Sequence, residues 1–255
     1  KRRSIKSDGI SVRNGLGEEA AERTPAFELL RWALPPPHTR HIYDFLEEYM
    51  QNPVIVCLDL EGVLVPEIWV NFAIKTGIEE LKITTREMPD YDALMTRRLK
   101  ILDQHGYTLA DIQAVIDAMG PMDGAAEFIA WLRERAQVII LSDTFYEFAL
   151  PLMRQLGFPT IFCNQLEIGS NGRIVNYKLR QPNQKKHAVA ALKNLNFHVM
   201  AAGDAYNDTA MLGEAHAGFF FRPPAHLPKE FPQFPVTTTY PELQERFRKA
   251  GGLRA

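Results

Sequence analysis

Four short stretches, far apart in the chain, hold the side chains best suited to chemistry: Asp59-Leu60-Glu61-Gly62-Val63, Ser142-Asp143-Thr144, Lys185, and Gly203-Asp204-Ala205-Tyr206-Asn207-Asp208. A carboxylate such as Asp59, held rigidly at the tip of a buried strand, can attack phosphorus in line if a nearby cation offsets its charge. Two residues on, Glu61 can protonate a leaving oxygen and later activate water. Gly62 allows the backbone to turn tightly beside a phosphate. A small hydroxyl at Ser142, with backbone N–H groups around it, suits an anionic phosphoryl group. Asp204 offers a hard oxygen ligand of the kind Mg²⁺ takes, while Asn207 and Asp208 can fix the metal's waters or a lysine by hydrogen bonds.

Each stretch also has a plainer reading. Asp59 and Glu61 can simply begin a loop, and a single short motif arises often by chance. Asp143 or Thr144 alone reads as a helix cap before Phe145, and Asn207 or Asp208 as a cap for the helix carrying Met211 and Leu212. Lys185 opens a helical pattern, where the helix dipole disfavours a cation, so its placement asks for a local anion. A solvated surface lysine is the ordinary alternative, and Lys186 stands open as the one that matters. Capping does not account for four such stretches in order.

The elements that must position these residues are legible. Val54-Ile55-Val56-Cys57-Leu58 is a continuous apolar run ending at Asp59, and reads as a strand buried on both faces. The same pattern recurs at Val138-Ile139-Ile140-Leu141 before Ser142 and at Val199-Met200-Ala201-Ala202 before Gly203. Helical patterns over 124–135, 145–156 and 185–195 alternate with these strands. That alternation predicts an α/β fold with a parallel sheet, which binds ligands at the carboxyl ends of its strands, so all three acidic turns fall on one rim. Residues 66–122 are largely helical and predict a cap inserted after the first strand, with 53–65 and 123–255 forming the core domain. A hairpin is expected over 166–177 around Asn171-Gly172. Residues 1–52 read as an appendage, partly disordered, with short amphipathic pieces at 27–34 and 42–50 and a break at Pro35-Pro36-Pro37.

Composition narrows the classes. The 255 residues are 46% hydrophobic and 24% charged, as in an ordinary soluble domain, and a formal net charge of -2 gives no broad attraction to nucleic acid or anionic membrane. No run of ~18 apolar residues could span a bilayer, and no apolar run follows the basic start, so the reading is cytoplasmic. Cys57 and Cys163 sit among apolar residues and read as reduced, buried thiols. His105, His187, His198 and His216 read as surface or packed residues; Trp69, Trp131 and Phe219-Phe220-Phe221 read as core.

On these motifs the chain resembles the haloacid dehalogenase (HAD) superfamily. Over roughly 54–245, through Asp59 to Trp69 and the stretches after Leu141 and Ala201, it is similar to a bacterial branch related to phosphoserine phosphatase, the ThrH proteins. The resemblance implies a Rossmann-like core with a helical cap and Mg²⁺-dependent hydrolysis of phosphoserine, with transfer of the phosphoryl group to homoserine as a further activity. It makes Asp59 the nucleophile and Glu61 the acid/base, and places Ser142, Asp143, Thr144, Lys185 and Asn207 around the phosphate. Mg²⁺ would take Asp59, the backbone carbonyl of Glu61 and Asp204, with Asp208 behind them. Most phosphatases of the superfamily carry Asp at the position of Glu61, whereas the ThrH branch carries Glu.

Tyr91, Leu94, Met95, Arg98 and Leu102 follow helical spacing, which puts Arg98 on an apolar stripe, where it either snorkels outward or points at an anionic ligand. The resemblance makes Arg98 the partner of the substrate carboxylate and Glu67 that of its ammonium group. Two other readings stand beside phosphoserine: another small phosphate ester such as a sugar phosphate, and a phosphate-binding module without turnover. A homodimer is compatible with the sequence; no nucleic acid or membrane partner is expected.

Overall fold

A computed structural model describes residues 52–84, 87, 88 and 90–254. The segments at 27–34 and 42–50 lie outside the described residues. Strand β1 (Val54–Leu58) sits mid-sheet with β2 (Gln137–Phe145) on one side and β5 (His198–Gly203) on the other, both parallel to it. Outward from β2 come β3 (Thr160–Ile168), parallel, and β4 (Ile174–Lys178), antiparallel; outward from β5 come β6 (Ala217–Phe221) and β7 (Val236–Thr237), both parallel.

β1 is apolar at every position because both faces are covered. Val56 and Leu58 join one hydrophobic cluster, whereas Ile55 and Cys57 join the other, as strand alternation requires. Helices α4 (Ala125–Arg133), α5 (Tyr146–Gln155) and α9 (Tyr240–Gly251) contribute Phe128, Phe148 and Phe247 to the first cluster; α6 (Gln184–Asn194) and α7 (Thr209–Glu214) contribute Val189 and Met211 to the second. A short α8 (Leu227–Glu230) completes that side. Both cysteines are buried and free.

Register brings the acidic turns together. Leu58 is paired with Ile140 and with Ala202, and the Asp59 N–H donates to the Ala202 carbonyl at 3.0 Å. The chain leaves β1 towards β2 and β3 on one side and reaches β5 and β6 on the other, so the crevice above β1 and β5 is the switch point where such sheets bind ligands.

Between β1 and α4 lie α1 (Ile68–Thr76), a 3-10 turn (Glu79–Lys82), α2 (Tyr91–Gln104) and α3 (Leu109–Met119), and no described residue here joins the main sheet. The ends of this segment meet where the Met122 N–H donates to the Leu64 carbonyl at 2.9 Å. Asp90 caps α2, and a Thr108–Asp111 capping box starts α3. The helices share the first hydrophobic cluster through Phe72, Met95 and Ile112. They are also tied to the expected hairpin, now β3 and β4 joined by a turn with Gly172 at φ +77°. Tyr177 donates to Asp92, Arg173 pairs with Asp103 at 2.6 Å, and the Leu109 N–H donates to the Gly172 carbonyl at 2.8 Å.

Two expectations need correction. β2 does not stop at Leu141: it continues to Phe145 through a register shift against β3, and the helix begins at Tyr146. Side chains reshape this part of the ladder, since Ser142 Oγ accepts from the Thr144 N–H and Asn164 Nδ2 donates to the Asp143 carbonyl. Trp131 is only partly buried: it packs against the first hydrophobic cluster, with the Arg135 guanidinium 4.8 Å from its ring centre, and so edges the core. Among the histidines, His105 and His187 are exposed, and His198 stacks on His216. No helix among the described residues is long and apolar enough to cross a membrane.

Candidate active site

Asp59 leaves the tip of β1 and is 5% exposed. Gly62 follows with φ +76°, and a side chain there would put Cβ 2.4 Å from the Asp204 carboxylate. The missing methyl group is therefore what lets Asp204, at the end of β5, reach Asp59. Carboxylate oxygens of Asp59, Asp204 and Asp208 all lie within 4.8 Å of one another.

Lys185 sits in the first turn of α6, buried against this acidic group. Its Nζ is 2.9 Å from Asp59 Oδ1, 2.8 Å from Asp208 Oδ1 and 3.8 Å from Asp143 Oδ2. These anions answer the dipole argument, while Lys186 is exposed. Burial opposes the lysine's charge, but Asp208, Asp59 and Asp143 outweigh it and hold the pKa well above the ordinary lysine value. For Asp59, burial and the neighbouring Asp208 push the carboxyl well up, against the pull of Lys185.

Asp208, with no exposed surface, has both oxygens engaged. Oδ1 holds Lys185, and Oδ2 accepts from the backbone N–H groups of Asp204 and Ala205 at 3.0 and 3.1 Å. It therefore orients its neighbours, leaving Asp59 and Asp204 as the side chains free to hold a cation. Burial and Asp208 raise Asp204 to about 7. Two adjacent carboxyls pushed upward are negative charge short of compensation, and an all-oxygen donor set of this kind fits a hard divalent cation.

On the β2 side, Asp143 accepts from Gln184 Nε2 at 3.0 Å and from Asn207 Nδ2 at 2.8 Å. Burial works against its charge, yet Lys185, Gln184 and Asn207 more than offset this and hold the carboxyl below its usual range. Gln184 also donates to the Ser142 carbonyl at 2.8 Å and to Asn164, fixing the backbone on which Ser142 and Thr144 sit. Glu61 turns the other way: its Oε2 accepts from the Ile68 N–H in the first turn of α1 at 2.8 Å. Burial first, then the charge of Glu67, raises Glu61 to about 8.

The cavity above these residues, about 370 Å³, is lined by Asp59, Glu61, Ser142, Asp143, Thr144, Lys185, Asp204 and Asn207, and also by Glu67, Trp69, Tyr91 and Arg98. Every side chain expected at the site is thus brought to one cavity except Asp208, which stands behind it. Arg98 is 7% exposed. One of its terminal nitrogens donates to the Ile83 carbonyl at 3.0 Å, its guanidinium carbon lies 4.5 Å from the Trp69 ring centre, and its buried Nε has no partner. Burial lowers its pKa to about 10, which leaves it charged at neutral pH. Arg98 is thus a buried cation in the cavity wall with a single oxygen partner.

A family model described as haloacid dehalogenase-like hydrolase matches residues 53–216. The chain belongs to this family. Phosphoserine phosphatase ThrH of Pseudomonas aeruginosa is 61% identical to this HAD hydrolase over 196 residues, spanning 77% of the chain and 96% of the relative. A phosphoserine phosphatase of Pseudomonas syringae pv. tomato is 61% identical over 196 residues, spanning 77% and 83%. Two solved structures share the HAD fold at TM-score 0.62, each covering 77% of this chain and 99% of the other. They are a phospho-aspartyl intermediate analogue of phosphoserine phosphatase, 17% identical, and a substrate-bound phosphoserine phosphatase complex, 18% identical.

Sequence reasoning missed three parts of this candidate site. Trp69 was expected in the core; it is buried, but one face carries Arg98. Gln184 and Asn164 brace the β2 turn, and their only sequence signal was polarity at positions that pattern alone would make buried. Tyr91 was placed on the apolar stripe of α2 and also lines the cavity.

Proposed function

We propose that the protein is a Mg²⁺-dependent phosphoserine phosphatase acting through a phosphorylated Asp59. The observation that carries this reading is a single cavity lined both by Lys185, Ser142 and the Asp59–Asp204 pair and by the buried, under-partnered Arg98 with Glu67. A small zwitterion bearing a phosphate matches that lining, and the substrate named for the 61%-identical relatives agrees with it. The helices of 66–122 form the cap that roofs the cavity, over a core of 53–65 and 123–255.

Asp59, Asp204 and the backbone carbonyl of Glu61 would hold Mg²⁺. Bound there, the ion would offset the negative charge of the carboxylate and of the phosphoryl group. Lys185 and the Ser142 hydroxyl bind the phosphoryl group, with Asp143, Thr144 and Asn207 shaping its seat. Arg98 pairs with the substrate carboxylate and Glu67 with its ammonium, which sets the phosphorus in line with Asp59. The Asp59 carboxylate forms a bond to phosphorus as the bond to the serine oxygen breaks, and Glu61 gives that oxygen a proton. A pKa of about 8 keeps Glu61 protonated at neutral pH for this step. Glu61 then takes a proton from the water that attacks the phosphoryl group, releasing inorganic phosphate and restoring Asp59.

The test is phosphate release from phosphoserine with Mg²⁺, with and without homoserine to intercept the phosphoryl group as phosphohomoserine. Asp59→Asn should abolish release from any ester, and unchanged turnover in that variant removes the mechanism. Arg98→Ala should lower use of phosphoserine far more than use of p-nitrophenyl phosphate; equal losses would favour another phosphate ester as the substrate.

A further inference from the structure

We infer that Trp69 is a positioning residue for substrate selection: its ring fixes the plane of the Arg98 guanidinium so that the guanidinium edge meets a carboxylate. The inference rests on the reading of Arg98 as the carboxylate partner. Trp69 lies in α1 and Arg98 in α2, and they meet across the cavity wall with the guanidinium carbon 4.5 Å from the ring centre. A guanidinium seated over a ring keeps N–H groups in its own plane for other partners, which suits it to a planar carboxylate. Of its in-plane donors, one terminal nitrogen is fixed by the Ile83 carbonyl at 3.0 Å, the other faces only the weak acceptor Met95 Sδ at 3.9 Å, and the buried Nε has no partner. A long, flexible side chain with one oxygen contact would sample several rotamers; the ring removes that freedom.

The ring is itself held from the core. Trp69 packs edge-on against Phe148 of α5, ring centres 5.5 Å apart at 70°, and Phe148 packs edge-on against Phe145 at 5.7 Å and 87°. Phe145 directly follows Ser142-Asp143-Thr144 on β2. A run of three rings thus links the segment that seats the phosphate to the arginine that seats the carboxylate, and sets the distance between the two ends of the ligand.

The experiment uses the full chain with Mg²⁺ and compares kcat and KM for phosphoserine and p-nitrophenyl phosphate in the wild type, W69L, W69F, R98A and W69L/R98A. Losing a desolvated cation–π contact should lower the ratio of phosphoserine to aryl phosphate specificity about tenfold in W69L, chiefly through the KM for phosphoserine. W69F, which keeps a buried ring with a weaker π face, should lower the ratio about threefold and carries the test should W69L fold poorly. On the R98A background W69L should change the ratio no further. The proposal is overturned by a ratio unmoved in W69F, by equal losses on both esters, or by a W69L effect that persists without Arg98. A ratio unmoved by R98A itself overturns the reading of Arg98, and this proposal with it; an R98A effect without a Trp69 effect overturns the proposal alone.

Discussion

Gly62→Ala isolates the geometry of the acidic pair with a single methyl group. At φ +76° an L side chain is strained by about 1–2 kcal/mol, which for a domain of this size lowers Tm by roughly 2–8 °C. The second effect is local: the new Cβ would lie 2.4 Å from Asp204 Cγ and Oδ2. Ordinary carbon contacts begin near 3.5 Å, so the carboxylate must retreat by about 1 Å. A shift of that size in a reacting constellation costs on the order of 10²-fold. The variant should therefore lose about 100-fold in kcat/KM for phosphoserine and require at least tenfold more Mg²⁺ for half-maximal rate, while circular dichroism at 25 °C matches the wild type. Phosphate release over a Mg²⁺ titration, beside a thermal melt, reads all three quantities. A lowered Tm with wild-type Mg²⁺ dependence would show that Asp204 can hold its ligand from elsewhere, and would refute the reasoning.

Lys185→Met leaves Asp59 and Asp208 buried without their cation; removing one partner of such a pair costs about 3–5 kcal/mol, so thermal melts should fall on the order of 10 °C, with partial recovery in Mg²⁺. Asp208→Asn turns one of two accepting oxygens into a donor facing either Lys185 or two backbone N–H groups, so Mg²⁺ affinity by titration should drop roughly 10- to 100-fold. In the metal-free protein, Asp204 at about 7 binds its proton more tightly folded than unfolded, so stability falls as pH rises from about 4 to about 7. Mg²⁺ held by Asp204, as proposed, would replace that proton, and its stabilising shift in Tm should be larger at pH 8 than at pH 6; equal shifts would place the cation elsewhere.

The rim carrying the candidate site was legible because parallel strands advertise both ends. β1 lies within the bounds read from its apolar run, and the acids that follow three such runs meet because neighbouring strands lie in register. Lys185 was legible as an electrostatic misfit: a cation in the first turn of a helix implies an anion, and two carboxylates lie within 3 Å of it. The site's braces were not legible. Gln184 and Asn164 act on backbone carbonyls of residues up to 42 positions away, and no local pattern records such a pairing. The apolar character that put Trp69 in the core was right about burial and silent about the guanidinium its ring carries. β7 comprises two residues, too short for any alternation to register.

The helices of 66–122 are held by more than their own junction at Leu64 and Met122. Tyr177 with Asp92, Arg173 with Asp103 and Gly172 with Leu109 fasten them to a hairpin encoded some seventy residues downstream. If these helices are the roof proposed above, anyone exchanging them for those of a cousin, to change which ester is accepted, would have to graft two separate gene segments. A transplant of the first alone would leave three fasteners without their counterparts, and the new roof would sit askew over an otherwise intact catalytic floor.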